Sequence, residues 1–206
     1  MRTLDEVHAT LLPLADPSRA DQMAAYMRNQ FQFLGISAGE RRSSTRSIVH
    51  FRPTDFDFAQ LLFDEPEREY HYCACDHIRF GRLTTTDLPD LKRLVQTKSW
   101  WDTVDSLAKG VGQAADAESM LEWAQDSDYW VRRVAIIHQL GFRTETDSEL
   151  LAQIIMANLG SKEFFINKAI GWALRDYSKA NPAWVAEFIA THDLAPLSAR
   201  EGSKYI

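Results

Sequence analysis

A weak internal repeat, whose copies start 34 residues apart at residues 127 and 161, restricts this chain to a small set of folds. Residues 127–136 align without gaps on residues 161–170, and residues 66–74 form a fainter third copy. A period of this length accommodates two helices and a turn. It is typical of stacked helical hairpins, so we predict an α-solenoid of HEAT-like helical repeats with a concave face. An irregular helical bundle is the alternative.

Apolar residues recur with helical spacing along most of the chain, and no alternating strand pattern of useful length occurs. Glycine and proline are sparse, at 9 and 7 of 206 residues. Asn181 followed by Pro182 is typical of a helix start, as are the capping-box patterns that begin at Ser37 and Thr146. We therefore predict an all-α protein. The predicted helices cover residues 3–12, 17–30, 38–50, 55–63, 67–80, 88–97, 99–109, 117–125, 128–141, 147–158, 162–179, 182–191 and 196–205.

Composition and charge exclude several classes of protein. No apolar run approaches the length of about 18 residues that a membrane span needs, and the N-terminus lacks the apolar region of a secretory signal. The 2 cysteines exclude a disulfide-rich scaffold, so we expect a cytoplasmic protein. The net charge is −6, but basic residues cluster near the N-terminus, so one positive groove is compatible with the total. Because no linker divides the chain, we expect a single domain over residues 1–206.

A stripe of cations with a tryptophan in its middle lies on the predicted helix 162–179. Lys168, Trp172, Arg175 and Lys179 are spaced so that they share one helix face. Lysine and arginine can pair with phosphates, and an indole can pack on a sugar or a base. The alternative is a core tryptophan flanked by solvated cations.

A second pattern lies in residues 98–105, where Trp101 and Asp105 are one helical turn apart on the same face. A carboxylate held beside an indole can stabilise a developing cation while the ring excludes water, as an oxocarbenium-like transition state requires. Asp102 lies near the helix start, where Ser99 can cap, so we expect it to interact with the helix dipole. The alternative for Asp105 is a salt bridge to a neighbouring lysine or arginine.

Two adjacent arginines, Arg132 and Arg133, point about 100° apart on a helix. Asp128 precedes Arg132 by four residues and can pair with it. This leaves Arg133 as the freer cation, able to face a groove. A surface position for both arginines is the alternative.

The segment 71–77 contains two histidines and two cysteines, which are residue types that bind zinc. On a helix, His71 and Cys75 share one face, whereas Cys73 and His77 share another. The four cannot converge on one tetrahedral ion, so we expect two buried thiols and no metal site. Glycine-rich phosphate loops, nucleophile elbows and zinc-protease motifs are also missing from the sequence.

Several of these patterns lie in segments that resemble the DNA alkylation repair enzymes of the AlkD-like DNA glycosylase type. The segments follow the family order from residue 26 to residue 201, which is most of the chain. The most specific strings are WWDTVD and FFINKAIGWALR. The matching segments are residues 26–31, 33–36, 41–42, 98–105, 130–136, 162–177 and 197–201.

The resemblance implies a right-handed superhelix whose concave, basic face binds DNA. It also implies hydrolysis of the N-glycosidic bond of cationic purines alkylated at N3 or N7. Trp101, Asp105 and Trp172 are implied to surround the deoxyribose of the lesion and are the predicted catalytic residues. The chain departs from the family at Asn167, where a basic residue is common, and in residues 71–77. The predicted DNA-binding residues are Arg133, Arg175, Lys168, Lys179, Tyr26, Arg28, Arg41 and Arg42.

This chemistry agrees with the residues found. An alkylated purine already carries a positive charge, so it leaves without a strong general acid, and Asp105 would stabilise the cationic sugar and position water. We therefore expect a monofunctional alkylpurine DNA glycosylase of base excision repair that acts on duplex DNA without cofactor or metal. We expect a monomer with no membrane contact and no obligatory protein partner. The alternatives are a catalytically weak DNA-binding paralogue and a HEAT-repeat scaffold that binds a protein.

Overall fold

The structure is a computed structural model that describes residues 3–206. The chain divides into two compact units, the first ending at Leu83 and the second beginning at Thr84. Residues 3–206 contain thirteen α-helices and no β-strand, which confirms the all-α prediction. None of these helices is both long and apolar enough to cross a membrane. The expectation of one domain over residues 1–206 stays a prediction.

Each helix corresponds to one of the ranges predicted from the sequence, and the differences lie at the ends. The helices of the first unit are α1 (Leu4–Leu11), α2 (Pro17–Tyr26), α3 (Ala38–Val49), α4 (Phe56–Asp64) and α5 (Arg68–Phe80). Those of the second unit are α6 (Leu88–Val95), α7 (Trp101–Ala114), α8 (Ala117–Trp123), α9 (Tyr129–Ile137), α10 (Ser148–Met156), α11 (Phe164–Tyr177), α12 (Pro182–Thr191) and α13 (Pro196–Gly202).

Side-chain caps explain where several helices begin. The Ser37 hydroxyl accepts a hydrogen bond from the Glu40 backbone N–H, and Asn181 caps α12 with Pro182 as its first residue. The cap predicted at Thr146 is wrong. Asp147 caps α10 instead, because its carboxylate accepts the backbone N–H groups of Glu149 and Leu150.

A buried glutamate shapes the segment between α2 and α3 in the first unit. Glu69 is fully buried on α5, and its carboxylate accepts the backbone N–H groups of three consecutive residues, 34–36, at 2.9 to 3.1 Å. Before this segment the chain makes a tight turn in which Arg28 and Asn29 both adopt positive φ, at 57° and 55°. Such angles are costly for residues other than glycine. The turn directly follows Tyr26, the exposed last residue of α2.

The second unit is built from two layers of helices. In one layer α7 packs on α9, α9 on α11, and α11 on α13, while in the other α8 packs on α10. The repeated segments fall at the starts of α9 and α11, with α10 between them. This order of contacts is consistent with the stacking that the 34-residue repeat predicts for this unit.

Two glycines allow helices of the second unit to approach each other closely. A Cβ on Gly112 of α7 would lie 2.3 Å from the carbonyl oxygen of His138, and one on Gly171 of α11 would lie 2.5 Å from the Cβ of Glu201. A larger residue has no room at either position. Gly171 thereby fixes α13 directly against α11.

Candidate functional site

Helix α7 carries Trp101 and Asp105 one turn apart, and both side chains are partly exposed. The chain enters this helix through Lys98, whose φ is 44°, and through an extended Trp100 at the N-cap position. The cap predicted at Ser99 is wrong, because its hydroxyl donates to the Val95 carbonyl at 2.7 Å. This entry sets where α7 begins and so which face of it carries Asp105.

The Asp105 carboxylate is held by the forked guanidinium of Arg133 on α9. Arg133 Nε donates to Oδ1 at 2.7 Å and Nη2 donates to Oδ2 at 2.8 Å. The third nitrogen, Nη1, donates to the Phe165 carbonyl of α11 at 2.6 Å. One buried guanidinium therefore joins α7, α9 and α11. The salt bridge considered as the alternative for Asp105 is the one that forms.

The sequence-based assignment of Arg133 as the freer of the two arginines is wrong. Its side chain is only 4% exposed. The expected pair between Asp128 and Arg132 does not form. The Asp128 carboxylate instead caps α9 by accepting the Trp130 backbone N–H at 2.8 Å. Arg132 is the more exposed of the two arginines.

Burial and pairing act in opposite directions on Asp105. Its side chain is 15% exposed. Burial raises the pKa of the Asp105 carboxyl above its ordinary value, and the hydrogen bonds and charge of Arg133 oppose that rise. A carboxylate offers about four acceptor positions, so the two bonds from Arg133 leave capacity for a water or a ligand group. The pair is therefore a fixed acceptor that sits largely out of bulk water.

Three aromatic rings pack together beside this pair. The centroids of Trp100 and Trp130 are 5.8 Å apart, and the Phe165 ring lies 5.3 Å from the first and 4.8 Å from the second. Arg133 Cζ lies 5.9 Å from the Phe165 centroid. Sequence patterns do not reveal this cluster as a unit. The signal that could have found it is the position of each ring at a helix start. Trp130 and Phe165 are the second residues of α9 and α11, and Trp100 is the N-cap residue of α7.

Trp172 and the cation stripe lie on α11. Trp172 is partly exposed and follows Phe165 by seven residues, which places it about two turns further along the same helix face. Lys168 and Arg175, on either side of it, both pair with Glu201 of α13, and Lys179 pairs with Asp176 at 3.1 Å. These cations are ion-paired rather than simply solvated.

The sequence model of the DNA alkylation repair enzyme family matches residues 7–206. The chain belongs to this family. A solved structure described as a predicted DNA alkylation repair enzyme from Enterococcus faecalis is 36% identical in sequence, with a TM-score of 0.87. The match covers 93% of this chain and 96% of that one. No curated protein matches the chain. Family membership indicates an enzyme of DNA repair that has DNA as its substrate.

Four predicted DNA-binding residues of this family member lie in the first unit. Tyr26 is 74% exposed, and Arg28 and Arg42 are exposed as well. Arg41 is buried, and its guanidinium pairs with Asp76. Arg42 Nε lies 3.8 Å from the same carboxylate. At this position Arg42 is thus the arginine that solvent reaches, and the DNA-binding roles of all four residues stay predictions.

The histidines and cysteines of 71–77 have separate partners in this repair enzyme. His71 Nε2 lies 2.7 Å from the Glu65 carbonyl, and His77 Nδ1 lies 2.7 Å from the Val49 carbonyl. Cys73 and Cys75 are buried free thiols, as predicted. Throughout the described part of the chain, no group of three or more His, Cys, Asp or Glu is arranged to hold a metal ion.

Proposed function

We propose that this protein is a DNA glycosylase that hydrolyses the N-glycosidic bond of cationic N3- or N7-alkylated purines in duplex DNA. The observation that carries the proposal is the Asp105 carboxylate, which is largely withdrawn from water, held at both oxygens by Arg133, and one helical turn from Trp101. Family membership supports the same substrate class.

The proposed reaction needs little from the protein at the leaving group. The bond between C1′ and the base breaks, its electrons neutralise the cationic purine, and the sugar becomes oxocarbenium-like. An oriented carboxylate stabilises that cation electrostatically. Water then forms a bond from its oxygen to C1′, and the carboxylate accepts the proton that the water loses. Asp105 is the proposed group for both tasks.

In this proposal Arg133 acts through Asp105. Its positive charge favours the ionised carboxylate against the effect of burial, and its two parallel hydrogen bonds fix the direction of both oxygens. Because the guanidinium is buried, its main role is to position Asp105. Contact with a phosphate is a further role that the family resemblance suggests.

Trp101 and Trp172 are proposed to pack against the sugar of the damaged nucleotide. Ring faces attract a developing cation and displace water from around it. Arg175, Lys168 and Lys179 of the second unit, and the exposed Tyr26, Arg28 and Arg42 of the first, are proposed to contact the DNA backbone. Arg41, which is buried, would support its neighbour Arg42.

Incubation of the protein with methylated duplex DNA, followed by mass analysis of the released bases, tests the proposal. We expect release of N3- or N7-methylpurines from a duplex that contains them and no release of unmodified bases. Tight binding of this duplex without any released base would favour the catalytically weak paralogue. Neither binding nor release would favour the protein-binding scaffold.

A further inference from the structure

Three cations converge on a single carboxylate at the junction of α11 and α13. Glu201 Oε2 lies 3.0 Å from Lys168 Nζ, 2.9 Å from Arg175 Nη1 and 2.9 Å from Lys204 Nζ. Lys204 Nζ also donates to Oε1 at 3.0 Å. Because all three nitrogens lie within 3.0 Å of one oxygen, no two of them are more than about 6 Å apart.

The charges of this group do not cancel. Hydrogen bonds from Lys204 and Lys168 lower the pKa of Glu201 to about 2, so the carboxylate is ionised at neutral pH. One negative charge therefore faces three positive charges, and two positive charges remain uncompensated. Like charges at such short separations repel one another. A second anion would relieve that repulsion.

The carboxylate of this group is buried, whereas its three cationic side chains are partly exposed to solvent. The Glu201 side chain is 8% exposed, whereas those of Lys168, Arg175 and Lys204 are 38%, 24% and 46% exposed. An ammonium has three N–H donors and a guanidinium has five. Glu201 accepts only some of these donors, so several can still reach a ligand on the solvent side.

Packing of α13 on α11 fixes where the Glu201 side chain begins. Glu201 lies directly over Gly171 of α11, where any Cβ would collide with it. Three residues earlier in the chain, the buried Ser198 hydroxyl donates to the Asn167 carbonyl at 2.8 Å. These contacts hold α13 against α11 and fix the backbone and Cβ of Glu201, and the rest of its side chain is buried as well.

We propose that Lys168, Arg175 and Lys204, gathered on Glu201, form a binding site for one phosphodiester group of the DNA backbone. A phosphodiester carries one negative charge on two non-bridging oxygens, and these oxygens can accept from several donors at once. Trp172 lies between Lys168 and Arg175 along α11, so the bound phosphate would be next to the sugar that packs on this ring. Glu201 is the positioning residue of the site. The inference rests on the proposed function only in taking DNA as the ligand.

Binding of an intact duplex over a range of salt concentrations tests Lys204 first. We expect Lys204→Ala to weaken binding several-fold and to lower the slope of log K against log salt by about one unit. The matched control is Lys92→Ala, which removes a partly exposed lysine of α6 that is ion-paired with Asp126. Equal affinities and slopes for both variants would overturn the site.

A duplex with one neutral methylphosphonate linkage at a time locates the phosphate. It contains a tetrahydrofuran abasic analogue in place of the damaged nucleotide, so no cleavage interferes with binding. In the wild type and in Lys92→Ala, we expect one neutral linkage near the analogue to weaken DNA binding. In Lys204→Ala, which has already lost its contact with that phosphate, the same linkage should have little further effect. Independent effects of Lys204→Ala and of every linkage would overturn the proposal.

Glu201→Gln separates positioning from simple charge. Removing a negative charge should tighten DNA binding if only net charge matters. If Glu201 positions the cations, this variant loses the selective effect of that one linkage although it is more positive. Tighter binding with the selective effect retained would overturn the positioning role. If this variant does not fold, which its circular dichroism would show, the comparison of Lys204→Ala with Lys92→Ala decides the phosphate site.

None of these measurements requires excision. If no base is released from methylated DNA but Lys204→Ala lowers the salt slope, the glycosylase proposal fails and the phosphate site stands. If bases are released but Lys204→Ala binds as the wild type does, the site fails and the glycosylase proposal stands.

Discussion

Arg133 donates to both carboxylate oxygens of Asp105, at 2.7 and 2.8 Å, and is itself almost completely buried. The two residues are 28 positions apart in the chain and belong to adjacent helices of one layer. A largely buried acid whose ionised form is favoured by a fixed cationic partner is suited to stabilising a cation in a site with little water.

Replacement of Arg133 should change the pH dependence of excision. In Arg133→Gln, burial acts on the Asp105 carboxyl without an opposing cation, so its pKa rises further. Asp105 must be ionised to act, so the acid limb of the single-turnover pH profile moves to higher pH. Removing one partner of a buried ion pair should also cost about 3–5 kcal/mol of stability, which urea unfolding measures.

Arg133→Lys is the informative companion variant. It keeps the positive charge but loses the fork that fixes both oxygens. We expect the acid limb to return towards its wild-type position while the excision rate stays low. An acid limb that is the same in the wild type and in Arg133→Gln would remove Arg133 from the control of Asp105.

Arg175→Ala should weaken binding to all DNA sequences alike and lower the salt slope by about one unit. The reason is that Arg175 contributes one of the cations beside Trp172 and would contact a phosphate rather than a base. Arg93→Ala, which removes an exposed arginine paired with Asp90 on α6, is the control. A salt slope equal to that of the wild type would show that Arg175 does not contact a phosphate.

Trp172→Ala should reduce the rate of excision more than it reduces DNA affinity. The ring is proposed to act on the sugar as positive charge develops, which happens only in the transition state. Trp172→Phe keeps an aromatic face and should retain much of the rate. Single-turnover rates and dissociation constants of both variants check this, and a loss confined to affinity would make Trp172 a binding residue only.

Glu201 should stabilise the fold at neutral pH and lose that effect in acid. Its pKa is lowered from 4.5 to about 2, so the folded state favours the ionised form. The stabilisation is present above the unfolded pKa and disappears as the pH falls through the folded value. Glu201→Gln should therefore be less stable than the wild type at pH 7, and the difference should shrink between about pH 4.5 and pH 2. Urea unfolding at several pH values measures it, and a constant difference would contradict the assignment.

The helices and the repeat are predictable from the sequence because they depend on local signals. Apolar spacing locates every helix, and Asn181 with Pro182 marks the start of α12 correctly. The cap at Asp147 is missed because Thr146 and Asp147 are adjacent candidates, and the choice depends on where α10 begins. Differences of this kind shift a helix end without changing the fold.

The partners of the charged residues are not predictable in the same way. The local rule pairs Asp128 with Arg132, whereas the register of α9 against α7 decides that Arg133 faces Asp105. Sequence spacing places Lys168 and Arg175 on one stripe, but it does not show that Glu201, on another helix, lies beneath them. Contacts between helices depend on how the helices pack, and local spacing in a single sequence does not show that packing.

The single-turnover release of N7-methylguanine from methylated duplex DNA by the wild type and by Asp105→Asn tests the catalytic role of Asp105 most directly. Asparagine has nearly the same shape but cannot carry the negative charge that the sugar cation requires. We expect release by the wild type and by the control Asp90→Asn, and none by Asp105→Asn, with DNA affinity nearly equal in all three. Equal rates of release by the wild type and by Asp105→Asn would show that the charge of Asp105 has no part in catalysis.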